Sequence, residues 1–218
     1  MHLWRSGRMV TMPGGADLRE ALWRERFHAE PTCLDLSPRS VREQMDTVWD
    51  PGRLFLDQIA SLPEGLLRFW LGTPRGHLIF THEPSQYVPS SQRRGKRSWE
   101  AVCFVRVADL LGGGEPAFLV LAQFLDHLLG SGAVLDGGRF SDGEGACPSL
   151  GEAAQRYVRA EVLHYGHEEL GASSPGDYWG RCLWLYLRDE RRLNVLDPNV
   201  HRLLATTLFQ PRFWGELA

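Results

Sequence analysis

Glu161, His164, His167 and Glu168 are the densest set of metal-capable side chains in the chain. Glu161 and His164 stand at i, i+3, the spacing that carboxylate-rich metal bundles use. His164 and Glu168 stand at i, i+4 and share one helix face. Asp126 and His127, on a separate apolar segment, could approach from a second helix. Imidazole and carboxylate together suit zinc, manganese or iron, and an ion so held could activate water for hydrolysis. The same spacings also arise on any polar helix face.

Other chemistries find less support. No Gly-x-Ser-x-Gly elbow is present, and Gly112-Gly-Gly-Glu-Pro116 lacks the Gly-Lys-Ser/Thr end of a phosphate loop. Cys33, Cys103, Cys147 and Cys182 form no Cys-x-x-Cys pair, which excludes a zinc finger or dithiol motif. Three of them sit in apolar surroundings and read as buried free thiols. Cys147, before Pro148, reads as the most exposed, with His127 or His164 as conceivable bases that no spacing brings to it.

A second pattern spans two segments. The first is Phe118-Leu-Val-Leu-Ala-Gln-Phe-Leu-Asp-His-Leu-Leu-Gly130; the second is Pro175-Gly-Asp-Tyr-Trp-Gly-Arg-Cys-Leu-Trp-Leu-Tyr186. Together, over residues 50–208, they resemble the lethal-factor-like catalytic domains, a group of zinc metallopeptidases that includes the Pro-Pro endopeptidases. The resemblance implies a zinc helix bearing His-Glu-x-x-His and a later helix with an acidic third ligand. It places the first His on Leu119, the Glu on Val120 and the second His on Gln123. The third ligand falls on Asp177, and the family's catalytic Tyr falls on Leu170. Asp126 and His127 follow the motif as remnants. Leu119 and Val120 cannot hold zinc or take a proton from water. The resemblance therefore implies no bound cofactor and a non-catalytic domain that holds a protein or peptide. The docking edge would be the sheet's edge strand, by strand addition. The zinc hydrolase built on His127, Glu161, His164, His167 and Glu168, and an unrelated structural protein, stand as the other readings.

Composition bounds these readings. The chain has 218 residues, 43% hydrophobic and 23% charged, enough for a real core and too apolar for wholesale disorder. A net charge of -3 argues against a dedicated nucleic-acid binder. The basic run Arg93-Arg-Gly-Lys-Arg97 lies in a polar stretch and reads as solvated, with an anionic partner as the other reading. The longest apolar stretch, residues 116–129, is too short to span a bilayer. The first ten residues carry no long apolar run of a secretory signal, so a cytoplasmic address is expected.

The elements that would position these residues define an α+β fold. Residues 1–16 read as a flexible leader, residues 17–49 as N-terminal helices, and residues 50–218 as the metallopeptidase-like unit. Helices are expected over 17–29, 37–49 and 53–61. Short strands are expected at 66–71, 77–81 and 101–108, with a loop over 83–99. A strongly apolar helix over 118–130 ends at Gly130. A glycine-rich acidic loop follows over 131–148. A long helix over 149–170 starts from a Ser149/Glu152 capping box and stops at Gly171. Further helices are expected over 176–188 and 201–208.

Overall fold

The computed structural model describes residues 15–94, 97–134, 137–163 and 165–215. In chain order the elements begin with α1 (Gly15–Arg26), β1 (Phe27–Ala29), α2 (Arg39–Arg42), α3 (Asp50–Gln58) and α4 (Glu64–Leu71). The strands β2 (His77–Thr81), β3 (Gln86–Val88), β4 (Gln92–Arg94), β5 (Arg97–Trp99) and β6 (Val102–Arg106) follow. The C-terminal part is helical: α5 (Glu115–Ser131), α6 (Pro148–Glu161), α7 (His167–Leu170), α8 (Pro175–Arg188), α9 (Glu190–Leu196), α10 (Pro198–Thr206) and α11 (Pro211–Gly215). The fold is α+β. Among the described residues no helix is long and apolar enough to cross a membrane.

The main sheet has the order β1-β2-β6-β3. β1, β2 and β6 run parallel, and β3 runs antiparallel to β6 with Tyr87 opposite Cys103. β4 and β5 form a separate hairpin. Side chains alternate across the sheet as period two requires. Leu78, Phe80, Cys103 and Val105 join the main helical core, while Ile79, Val102 and Phe104 form a small cluster on the other face under Val88 and Trp99. The main core runs without a break from Leu18 in α1 to Leu203 in α10. The N-terminal helices therefore share one core with the rest of the chain.

Two central helices owe their close approach to glycine. A Cβ on Gly180 of α8 would sit 3.1 Å from Ala122 Cβ and 3.2 Å from Leu119 Cδ2 of α5. A Cβ on Gly130 of α5 would lie 2.5 Å from the Arg139 backbone, so the 137–147 loop packs directly on this helix.

Several expected elements differ. Leu66–Leu71 is helix α4 instead of a strand. Leu66, Leu67 and Trp70 are buried on one face, and Arg68 pairs with Glu64 one turn back. Only Arg39–Arg42 of 37–49 is α-helical. Asp50 Oδ2 accepts the Asp46 and Thr47 amides at 2.9 and 2.6 Å, which draws the chain into a turn. The 83–99 stretch holds β3 and the hairpin. The expected first helix gives way at Phe27 to strand β1, while its start at Gly15 lies inside the expected leader; residues 1–14 lie outside the described residues. The apolar helix passes Gly130 and stops at Gly132, whose φ is +68°. The long helix breaks into α6 and α7, and Cys147 instead of Ser149 is the N-cap of α6. The break seats Gly166 against Tyr178, where a Cβ would meet the hydroxyl at 2.8 Å.

Candidate functional site

α5 and α8 pack antiparallel. Gly176 faces Asp126, Gly180 faces Ala122 and Leu119, and Arg181 reaches Glu115. The two segments singled out by the resemblance are thus brought face to face. Leu119 is half-buried against Gly180, three residues along α8 from Asp177. Val120 is buried in the main core, and its carbonyl takes the Cys103 thiol at 3.6 Å. Gln123 is exposed. Leu170 is half-buried on α7 and packs at the margin of the core.

Asp177 has two structural jobs. Its amide donates to Ser174 Oγ, the N-cap of α8, at 3.1 Å, and its Oδ2 accepts the Ser173 amide at 3.0 Å. This closes the N-terminal turn as a capping box does. Its Oδ1 accepts from Arg181 Nε at 3.0 Å, and the same guanidinium reaches Glu115 Oε1 at 3.4 Å. Glu115 stands one turn before Leu119 on α5. A fixed cation of the protein therefore sits between the acidic groups of the two facing helices.

Asp126 is fully buried, with the Ser141 amide and hydroxyl each at 2.7 Å and Arg139 at 3.7 Å. Burial raises its carboxyl to about 6, and the Ser141 bonds and Arg139 hold it from going higher. His127 is buried beside it, with Nδ1 2.9 Å from the Tyr87 hydroxyl. That contact ties α5 to the edge strand β3. Burial also raises the Tyr87 phenol, so it stays protonated.

The alternative metal set is only partly gathered. His167 Nε2 lies 3.2 Å from Glu161 Oε1, and its ring stacks on Tyr178 at 3.9 Å. Tyr178 in turn donates to Asp197 at 2.7 Å. Glu168 is exposed, and His127 is engaged with Tyr87. His164 lies outside the described residues. Among the described residues no three His, Cys, Asp or Glu side chains come together as a metal site. Cys147 is half-buried as the α6 cap and, like the other three cysteines, carries a free thiol.

Three groups escaped the sequence reading. Arg181 could have been found, because Asp177 and Arg181 stand at i, i+4 on an expected helix. Asp197 before Pro198 carries an N-cap pattern. The third, His28 with His77, has no local signal. These rings come from different strands, 3.1 Å apart nitrogen to nitrogen, beneath Trp99. His77 Nε2 is 3.2 Å from the Pro74 carbonyl and so donates to it. Its Nδ1 then accepts from His28 Nε2. Burial lowers both rings to about 4, helped at His28 by His77, Arg97 and Arg26 and at His77 by Arg26. No protein-family model, curated protein or solved structure matches the chain.

Proposed function

We propose that the chain is a non-catalytic, metallopeptidase-like module that holds a protein or peptide instead of cutting it. The observation that carries this reading is Arg181 bridging Asp177 and Glu115. A guanidinium at that point supplies the positive charge that an acidic metal ligand would otherwise demand, and it cannot activate water. Leu119 packs on the neighbouring Gly180, and Val120 is buried in the main core. The facing of α5 and α8, in the order that the family resemblance implies, supports the same reading. The edge of β3 away from β6 is left unpaired in the sheet, and Tyr87 links it to α5. An extended peptide added there would take its main-chain hydrogen bonds from β3.

Zinc analysis tests the proposal. The purified chain should hold far less than one zinc per molecule after incubation with the metal, and stoichiometric zinc would refute it. A constructive arm tests the resemblance. Leu119→His with Gln123→His and Arg181→Ala places two imidazoles and Asp177 at the inferred metal position. This triple variant should acquire tight zinc binding, read by a chromogenic chelator. Failure of a folded triple variant to bind zinc would remove the resemblance.

A further inference from the structure

We infer that the cleft between α6 and α10 is a docking site for an acidic peptide segment carrying a large apolar side chain. The cleft shares no residue with α5, α8 or β3, so it goes beyond the site proposed above. Its volume is about 280 Å3, and Arg156, Arg159, Leu163, Asn199 and Arg202 line it. Arg156 and Arg159 stand at i, i+3 on one face of α6, and Arg202 faces them from α10.

Charge is the first argument. Several arginines elsewhere take carboxylate partners, Arg39 with Glu43, Arg53 with Asp50, Arg75 with Glu100 and Arg181 with Asp177, whereas the cleft gathers three that do not. In the cleft no described carboxylate pairs with Arg156, Arg159 or Arg202; Arg156 bonds only the neutral Thr206 hydroxyl, at 3.2 Å. Three unneutralised guanidiniums in one recess stand against a chain of net charge -3. Such a recess focuses field lines on an incoming anion, and each guanidinium can grip a carboxylate through two N–H groups.

The apolar neighbours are the second argument. Leu163 lines the cleft and is 51% exposed, and Val162 and Tyr165 in the same turn are each 61% exposed. Three large side chains held in water within four residues mark a contact surface. A ligand that satisfies both features carries carboxylates for the arginines and an aliphatic or aromatic group for Leu163. A second copy of this face would set arginines against arginines. A flat anionic membrane would meet the exposed turn but leave the recess unfilled.

The probe is a fluorescein-labelled peptide of four glutamates followed by leucine and phenylalanine, titrated with the full chain and read by fluorescence anisotropy. Binding should saturate at low salt and weaken as salt screens the charges. Arg159→Glu with Arg202→Glu should weaken it about tenfold or more, and Leu163→Ser should weaken it severalfold. A peptide with alanine for the leucine and phenylalanine should lose what Leu163→Ser loses. All three side chains are exposed, so the thermal midpoint should not move; Arg159→Gln with Arg202→Gln serves if the double reversal unfolds. Binding indifferent to the charge reversal, or no saturation at about 1 mM chain, overturns the inference. So does capture of phosphatidylserine vesicles by a chain that leaves the peptide unbound. None of these results depends on zinc, so this inference and the proposed function fail separately.

Discussion

Asp126 and Ser141 form a closed pair: both the amide and the hydroxyl of Ser141 end on one carboxylate with no exposure to solvent. The pair pins the 137–147 loop to α5 at the point where Gly130 lets the two backbones touch. Its strength depends on the proton that Asp126 carries.

The Asp126 carboxyl titrates near 6 in the fold and near 3.8 in the unfolded chain. Between those values the folded state holds more protons, so stability rises as pH falls from about 6 to about 4. A shift of this size corresponds to about 3 kcal/mol at most. Asp126→Asn keeps an acceptor for the Ser141 amide and removes the titration. Urea unfolding at pH 4.5 and 7.5 should show the variant losing ground to wild type only at the lower pH. An identical difference at both values would mean that Asp126 is not protonated by burial.

His28 and His77 act in the opposite sense. Both are held neutral to about 4, against 6.5 when unfolded. Below 6.5 the unfolded chain takes up protons first, so the pair's contribution is lost as pH falls from 6.5 towards 4. Arg26 and Arg97 add to the cost of charging the rings. His77→Gln retains a donor for Pro74 and an acceptor for His28. It should lower stability at pH 7.5 and lose less than wild type on acidification. The urea midpoint at several pH values reads this directly, and parallel curves would dismiss the pair as a pH-sensitive element.

What was legible in the chain follows from the range of the forces involved. α5 and α8 stand out because apolar spacing, Pro116 or Pro175 at the start and a glycine beyond α5 all act within a few residues. The facing of Leu119 and Gly180 has no local signal, since nothing within a few residues links two segments about sixty residues apart. Leu66–Leu71 misleads as an apolar run because periodicity alone does not separate a short buried helix from a strand. Burial of Leu66, Leu67 and Trp70 on one face decides for the helix. The break between α6 and α7 is set by Tyr178, far along the chain, pressing on Gly166. The His28–His77 pair exists only once β1 and β2 align in parallel, with His28 opposite Ile79.

The contact of α5 with α8 predicts a steric response at Gly180. A methyl group there gains helix propensity of about 1 kcal/mol but meets Ala122 and Leu119 at 3.1 and 3.2 Å. Gly180→Ala should still be destabilising, by about 1 kcal/mol, because Ala122 Cβ cannot rotate away. Gly180→Leu should cost about 3 kcal/mol. Leu119→Ala made with Gly180→Ala should recover part of the loss, since Leu119 supplies the other close contact. Thermal denaturation of the singles and the double gives the coupling, and strict additivity would show that the helices are not in contact here.

Asp197 should be among the most sensitive polar positions in the chain. It is fully buried, its Oδ1 accepts the Asn199 and Val200 amides at 3.0 and 2.9 Å, and its Oδ2 accepts the Tyr178 hydroxyl at 2.7 Å. Asp197→Ala strips the cap from α10, at about 1–2 kcal/mol. It also leaves a buried phenol without its acceptor, at about 1–3 kcal/mol. Asp197→Asn keeps the capping oxygen but presents an amide to Tyr178, so it should fall between wild type and Ala. Tyr178→Phe removes the donor that Asp197 serves. Asp197→Ala in a Tyr178→Phe background should therefore cost less than in wild type, by the hydroxyl's share. The four unfolding curves of that cycle measure the share. A penalty for Asp197→Ala that is the same in both backgrounds would assign the whole role of Asp197 to capping α10, and none to Tyr178.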